Sequence, residues 1–127
     1  MENRKLAIVG SRDFTDYEKF CEIIAYVDKK YGILENVTEI VSGHGDGTDL
    51  MAERFAEERG YTKKIFPADW SQGRKAGPIR NQLIVNEMTH MLALPKLING
   101  VYSKGTADSI RKAEKADKRC YIVVITL

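Results

Sequence analysis

At 127 residues the chain has room for one domain, taken as 1–127, and can bury roughly two thirds of its unfolded surface without disulfides or a metal. Apolar residues make up 43% and charged residues 30%, the balance of an ordinary globular protein. Lys and Arg total 20 against 18 for Asp and Glu, and a net charge of +2 is too small for the strongly basic face of a generic polyanion binder.

Five short apolar runs alternate with four helical patterns. The first run, Leu6 to Val9, ends at Gly10. Thr15-Asp16-Tyr17-Glu18 then fits a capping box with Thr15 as N-cap, and Tyr17, Phe20, Cys21, Ile24, Val27 and Tyr31 follow at helical spacing. Thr38 to Ser42 is the second strand and runs into Gly43-His44-Gly45-Asp46-Gly47-Thr48-Asp49. Met51, Ala52, Phe55 and Ala56 form the apolar face of a second helix that Gly60 ends. Lys63 to Phe66 is a third strand, and Ala68 to Ala76 is polar and irregular. Gly77-Pro78 opens a helix through Ile79, Leu83 and Ile84 towards Met88. His90 to Leu94 is the fourth strand, stopped by Pro95, and Lys96 to Lys104 reads as a loop. Ala107, Ile110, Ala113 and Ala116 line the fourth helix, and Tyr121 to Ile125 is the last strand.

Strands that are apolar throughout and separated by helices indicate a parallel sheet covered on both faces. The fold class is α/β, a three-layer Rossmann-like sandwich with right-handed crossovers and a five-stranded parallel sheet in the order 3-2-1-4-5. Cys21 and Cys120 stand far apart in apolar patterns and read as small core residues of a reduced protein. No run approaches the roughly 18 apolar residues of a membrane span. The start, MENRKLAIVGS, passes directly into a strand with no signal-peptide pattern, so the expected location is cytoplasmic.

Ligands of such sheets bind beyond the carboxyl ends of the strands, where strand order reverses. Gly10-Ser11-Arg12, the Gly43 to Asp49 turn and Gly105-Thr106 all fall at those ends. Glycines at 43, 45 and 47 let the backbone approach a ligand closely, and the next helix presents its positive end to an anion. Thr48 offers a hydroxyl, and Asp49 can cap the turn or accept from a sugar. The spacing is GxGxG, not the GxGxxG of dinucleotide sites, and a tight strand-to-helix turn explains the same glycines. His44 beside Asp46 and Asp49 is a weak metal pattern, and neither a metal nor a cofactor is called for. Arg74, Lys75, Arg80 and Asn81 form a second polar cluster; Arg80, in a first helical turn that disfavours a cation, makes sense if it faces a phosphate or carboxylate. His90 reads as a packed or edge residue, and Trp70 either packs its loop, the preferred reading, or stacks on a base.

The stretches VGSRDFTDY (9–17), VSGHGDGTDLMAERFAEERGY (41–61), FPADW (66–70), AGPIRNQLIV (76–85) and GTADSIRKAEK (105–115), taken in order, resemble the YspA-type, cpYpsA-related proteins of the SLOG superfamily. That superfamily also holds the Lonely Guy phosphoribohydrolases and the DNA-processing protein DprA. The resemblance implies a Rossmann-like fold and a pocket for a nucleotide-derived ligand of NAD or ADP-ribose type. It carries over Gly10, Ser11, Arg12, Gly43, Gly47, Asp49, Pro78, Arg80, Asn81, Gly105 and Thr106 as pocket residues; the turn itself adds His44, Gly45 and Thr48. Two departures stand out. The second turn, usually close to SGGARGAD, reads SGHGDGTD, with His44 replacing a glycine. The PGGxGTxxE motif of the Lonely Guy enzymes is interrupted by KLINGVYSK, and its glutamate position holds Ser109, with Asp108 one residue earlier. One residue turns a side chain about 100° around a helix, which counts against inherited glycosidic-bond hydrolysis.

Three functions follow as expectations. The first is a module that senses or sequesters a nucleotide-derived small molecule. The second is an N-glycosidic-bond hydrolase using Asp108 or Asp49. The third, single-stranded DNA binding, is opposed by the near-neutral charge and the lack of interleaved aromatic and basic residues. The oligomeric state stays open, a homo-oligomer being one option because small Rossmann units with an exposed last helix often pair.

Overall fold

A computed structural model describes residues 3–127. Its elements are β1 (Arg4–Gly10), α1 (Tyr17–Tyr31), β2 (Val37–Ser42), α2 (Thr48–Arg59), β3 (Thr62–Ile65), a 3-10 turn (Trp70–Lys75), α3 (Ala76–Glu87), β4 (His90–Leu94), a hairpin of β5 (Leu97–Ile98) and β6 (Val101–Tyr102), α4 (Lys104–Lys115) and β7 (Cys120–Ile122). The main sheet is five-stranded and parallel, ordered β3-β2-β1-β4-β7. With the two hairpin strands set aside, this is the 3-2-1-4-5 order of a Rossmann-like α/β sandwich.

Alternation along β1 builds the three layers. Leu6 and Ile8 point to one face, into a cluster with Phe20, Ile24 and Val27 of α1 and Met51 and Phe55 of α2. Ala7 and Val9 point to the other, against Ile84, Val85 and Met88 of α3 and Ile110 and Ala113 of α4. Strands buried on both faces are apolar at every position, and β4 is buried along its whole length. Direction changes between β1 and β4: β1 leads to β2 on one side, while β4 lies on the other. That pair of strands marks the switch point where such sheets hold ligands.

Several local readings are corrected. The N-cap of α1 is Asp16, not Thr15: its carboxylate accepts from Lys19 N at 3.1 Å, and a charge suits the positive helix end better than a hydroxyl. The segment 96–104 is not a plain loop, since it holds the β5–β6 hairpin. The last strand stops at Ile122, and Ile125 instead bridges to Lys96. Helix α3 begins at Ala76, so Arg80 is its fifth residue, and Ile79 and Leu83 face outward. Trp70 is 58% exposed rather than packed. His90 is a core residue, with Nε2 2.8 Å from Ile33 O and Nδ1 2.8 Å from Thr89 Oγ1. Both cysteines are half-buried and free, and burial pushes the Cys120 thiol up to about 12.

The β1–α1 and β2–α2 turns are pressed together. Gly47 has φ 69° and ψ −118°, backbone that only glycine adopts readily, and a Cβ there would lie 2.3 Å from Arg12 O. Gly47→Ala should therefore cost roughly 1–3 kcal/mol of stability through strain and clash, read as a lower urea midpoint at unchanged slope. A midpoint equal to wild type would mean that the two turns are free to separate.

Candidate functional site

A cavity of about 340 Å³ opens at the switch point. Its walls come from five segments: Val9 to Asp13 after β1, the β2–α2 turn at Gly45, Asp46 and Asp49, the α3 face Arg80, Asn81 and Ile84, Lys96 and Ile98 beside the hairpin, and Ser103, Gly105, Thr106 and Ser109 at the start of α4. The volume is at the small end for ligand pockets, about the scale of one mononucleotide.

The corners converge because the carbonyl of Ser11 ties them. It accepts from Thr48 Oγ1 at 2.8 Å and from Thr48 N at 3.2 Å, while Ser11 N donates to Leu94 O at 3.1 Å. Thr48 is buried by this bond and is a clamp, not part of the cavity wall. In the second turn, Gly45 N donates to Asp49 Oδ2 at 3.0 Å. Two of the amides that the glycine turn was expected to offer an anion are thus taken by the protein's own oxygens. The N-caps of α2 and α4, Gly47 and Ser103, alike make no side-chain cap bond, but the first amide of α2 is held by Ser11 O, and at α4 Gly105 and Thr106 lie on the cavity wall. An uncapped first turn presents N–H groups and the positive helix end to whatever fills the space.

Arg80 crosses the site. Its Nη1 donates to Gly43 O and its Nε to Asn81 Oδ1 at 3.0 Å. A Cβ at Gly43 would meet that guanidinium at 2.4 Å, so this glycine makes room for the arginine rather than for a ligand. Burial lowers the Arg80 pKa from the ordinary arginine value, with Asp49 opposing. Asn81 passes the connection on, donating through Nδ2 to Asp108 Oδ2 at 3.0 Å. Arg12 is exposed on the cavity wall, and its guanidinium has no hydrogen-bond or ion-pair partner among the described residues. Lys96 pairs with Asp13 across the mouth.

Of the residues singled out from sequence, Gly10, Ser11, Arg12, Gly45, Asp49, Arg80, Asn81, Gly105 and Thr106 line this cavity; Gly43, His44, Gly47, Thr48, Pro78 and Asp108 do not. His44 adopts φ 61° and sets Nδ1 2.9 Å from Oε1 of the buried Glu53, whose Oε2 accepts from Ser42 Oγ at 2.9 Å. It braces the turn from behind. Asp108 is gripped by Lys112 Nζ at 2.6 Å and by Asn81. Burial would raise its pKa, but these donors outweigh that and hold the carboxyl below its ordinary range. Beyond Gly105 and Thr106, the residue of this helix that faces the cavity is Ser109 rather than Asp108. Arg74 and Lys75 are exposed and away from it. Among the described residues no His, Cys, Asp and Glu side chains gather as a metal site.

Sequence reasoning passed over Asp13, Lys96, Ile98 and Ser109. The signal for Ser109 was available, since it lies three residues after Thr106 and so on the same helix face. For Lys96 and Ile98 the signal was Asn99-Gly100, the strongest short-range mark of a hairpin.

The family model YAcAr, described as the YspA, cpYpsA-related SLOG family, matches residues 4–73, just over half of the chain. The chain belongs to this family. No curated protein matches it. Family membership points to a nucleotide-related small-molecule ligand in general. The matched segment supplies the Ser11–Thr48 clamp, Arg12 and Asp49; Arg80, the hairpin and the start of α4 lie beyond it. No helix among the described residues is long and apolar enough to cross a membrane.

Asp49 is the titratable group of the cavity with the clearest displacement. Burial raises its carboxyl pKa to about 6, while the Gly45 amide and the Arg80 charge pull the other way. The folded protein therefore binds a proton between about pH 4 and 6 that the unfolded chain does not, and its stability falls as pH rises through that window. Asp49→Asn should remove this slope, so that the variant gains on wild type as pH goes from 4 to 8, measured by urea unfolding across that range. Parallel curves for the two proteins would contradict the burial of this carboxyl.

Proposed function

We propose that the protein binds the phosphate-bearing part of a nucleotide or nucleotide-derived small molecule, of NAD or ADP-ribose type, at the carboxyl rim of its sheet, and serves as a sensor or sequestering module. The observation that carries this reading is the meeting of the uncapped α4 turn with the guanidinium groups of Arg12 and Arg80 on one cavity. Backbone amides at a helix start and a guanidinium fork are a matched pair of donors for phosphate oxygens. Asp13, Asp46 and Asp49 also border the space; Asp13 is paired with Lys96, and Asp49, raised to about 6, loses its charge only on the acid side of neutrality, so an anion should bind more tightly as pH falls towards 6.

Arg12 is the cleanest test, because its guanidinium makes no hydrogen bond or ion pair among the described residues and meets the fold only through its charge beside Asp49 and Arg80. Arg12→Ala should leave the free protein folded, with a melting temperature close to wild type, and weaken binding by about 1.5–3 kcal/mol, roughly ten- to a hundredfold. The readout is isothermal titration with ADP-ribose and NAD, supported by the thermal shift each ligand produces. Unaltered affinity for a ligand that wild type binds would remove Arg12 from the site.

A second reading, hydrolysis of a nucleotide N-glycosidic bond, is favoured by Asp49 alone. A carboxyl held near pH 6 inside a cavity can give a proton to a departing base and hold it on return. Asp108 is committed to Lys112 and Asn81 and contributes nothing to that chemistry. Chromatography of nucleoside monophosphates and NAD after incubation with the protein separates the two readings. Released base that disappears in Asp49→Asn supports the hydrolase; saturable binding with every ligand recovered intact supports the sensor.

A further inference from the structure

The hairpin at 97–102 stands outside the main sheet and outside the stretch that the family model matches. Asn99 and Gly100 both have positive φ, at 51° and 81°, the signature of a two-residue type I′ turn that fixes its strands tightly. Residues paired across such a hairpin share a face. Leu97 pairs with Tyr102, and Tyr102 packs down on the core cluster under α3 and α4. Ile98 pairs with Val101, so these two share the opposite face, and Ile98 lines the cavity. Ile98 is 47% exposed and Val101 64% exposed; Leu97, 51% exposed on the other face, and Val101 both lie off the cavity wall, so Val101 extends outward from the edge that Ile98 forms. Two β-branched side chains held side by side in water, on a strand pair anchored from behind, form an apolar shelf that fills no core.

Resting on the reading of the cavity as a phosphate site, we infer that this shelf takes the base of a nucleoside phosphate, and so makes the protein selective for a base-bearing ligand over a bare sugar phosphate. The cavity wall carries both kinds of group: Arg12, Arg80 and the α4 turn offer polar donors, and Ile98 offers a half-exposed apolar side chain from the hairpin, whereas Val9 and Ile84 belong to the buried core behind the wall. A planar base has an apolar face and gains from covering such a surface, whereas a sugar phosphate has nothing to place there. Lys96 joins the shelf to the far side of the mouth through Asp13, which keeps the hairpin beside the cavity rather than swung away from it.

The test compares AMP with ribose 5-phosphate, which share the phosphate and ribose and differ in the base. Wild type should bind AMP at least tenfold tighter by isothermal titration. Ile98→Ser, which trims the shelf without adding charge, should lower AMP affinity about tenfold and leave ribose 5-phosphate within twofold. Val101→Ser should act in the same direction, and Leu97→Ser, on the other face of the hairpin, should change neither; melting curves check that each variant is folded. The inference is overturned if wild type binds the two compounds equally, or if Ile98→Ser and Leu97→Ser behave alike. Ribose 5-phosphate binding without preference for AMP defeats the shelf and leaves the phosphate site standing. Absence of binding to both compounds and to ADP-ribose defeats the phosphate site and the shelf with it.

Discussion

One carbonyl oxygen holds the functional rim together. Ser11 O lies at the exit of β1, the central strand, and takes two hydrogen bonds from Thr48 at the start of α2. Both partners are buried, so the bonds form where water cannot compete, and losing them would strand polar groups in the interior. The contact forces the two turns to within backbone distance, and that closeness dictates the residue types around it. Gly47 is required because Arg12 O occupies the place of a side chain, and Gly10 because Leu94 O and Thr48 Oγ1 occupy the other. A glycine-rich rim is thus first a consequence of packing two turns against one strand end.

This packing redistributes the donors. An anion site built from a glycine turn needs amides without partners, and here the Thr48 amide is held by Ser11 and the Gly45 amide by Asp49. The carboxylate of Asp49 stands where an external anion would meet that amide, and its partial burial on the cavity wall raises its pKa to about 6. Helix α4 carries no such internal oxygen on its first turn. The positive potential of the cavity therefore comes from the side of α4, Arg12 and Arg80. On the reading proposed above, a negative ligand would meet its donors on the side of the last helix rather than at the second turn.

The layers and the buried faces of α1 and α2 were legible in the sequence because they follow from hydrophobic period, which burial enforces; the strand order came from the habit of the fold class, and on α3 the apolar Ile79 and Leu83 face outward. The convergence of Gly10–Arg12, the second turn and Gly105–Thr106 was legible too, since topology alone brings strand ends to one rim. Individual roles were not. Thr48 reads as a ligand hydroxyl and is a clamp; Gly43 reads as a phosphate contact and makes room for Arg80; His44 reads as a site residue and braces Glu53. In each case the sequence shows a polar or small residue at the right height on the sheet, but the partner lies 9 to 37 residues away. Propensity carries no information at that range. The hairpin was hidden for another reason: strands of two residues are too short to show an alternation, and only the Asn99-Gly100 turn betrays them.

The division of the chain gives the rim its scope for change. In a parallel sheet every return to the next strand passes through a helix, so the segments at the carboxyl edge can lengthen without disturbing strand register. Between Pro95 and Ser103 this protein uses that freedom to raise a rigid hairpin beside the cavity, while β4 and α4 remain packed on the core as the fold demands. On the proposed reading, Arg80 and the α4 amides lie on helices packed against the sheet and Arg12 on the turn held by the Ser11 clamp, while Ile98 lies on a hairpin outside the sheet. Charge recognition and shape recognition would then fall to separate parts of the chain, and a substitution at Ile98 could alter what the cavity prefers without moving Arg12, Arg80 or the Ser11 clamp.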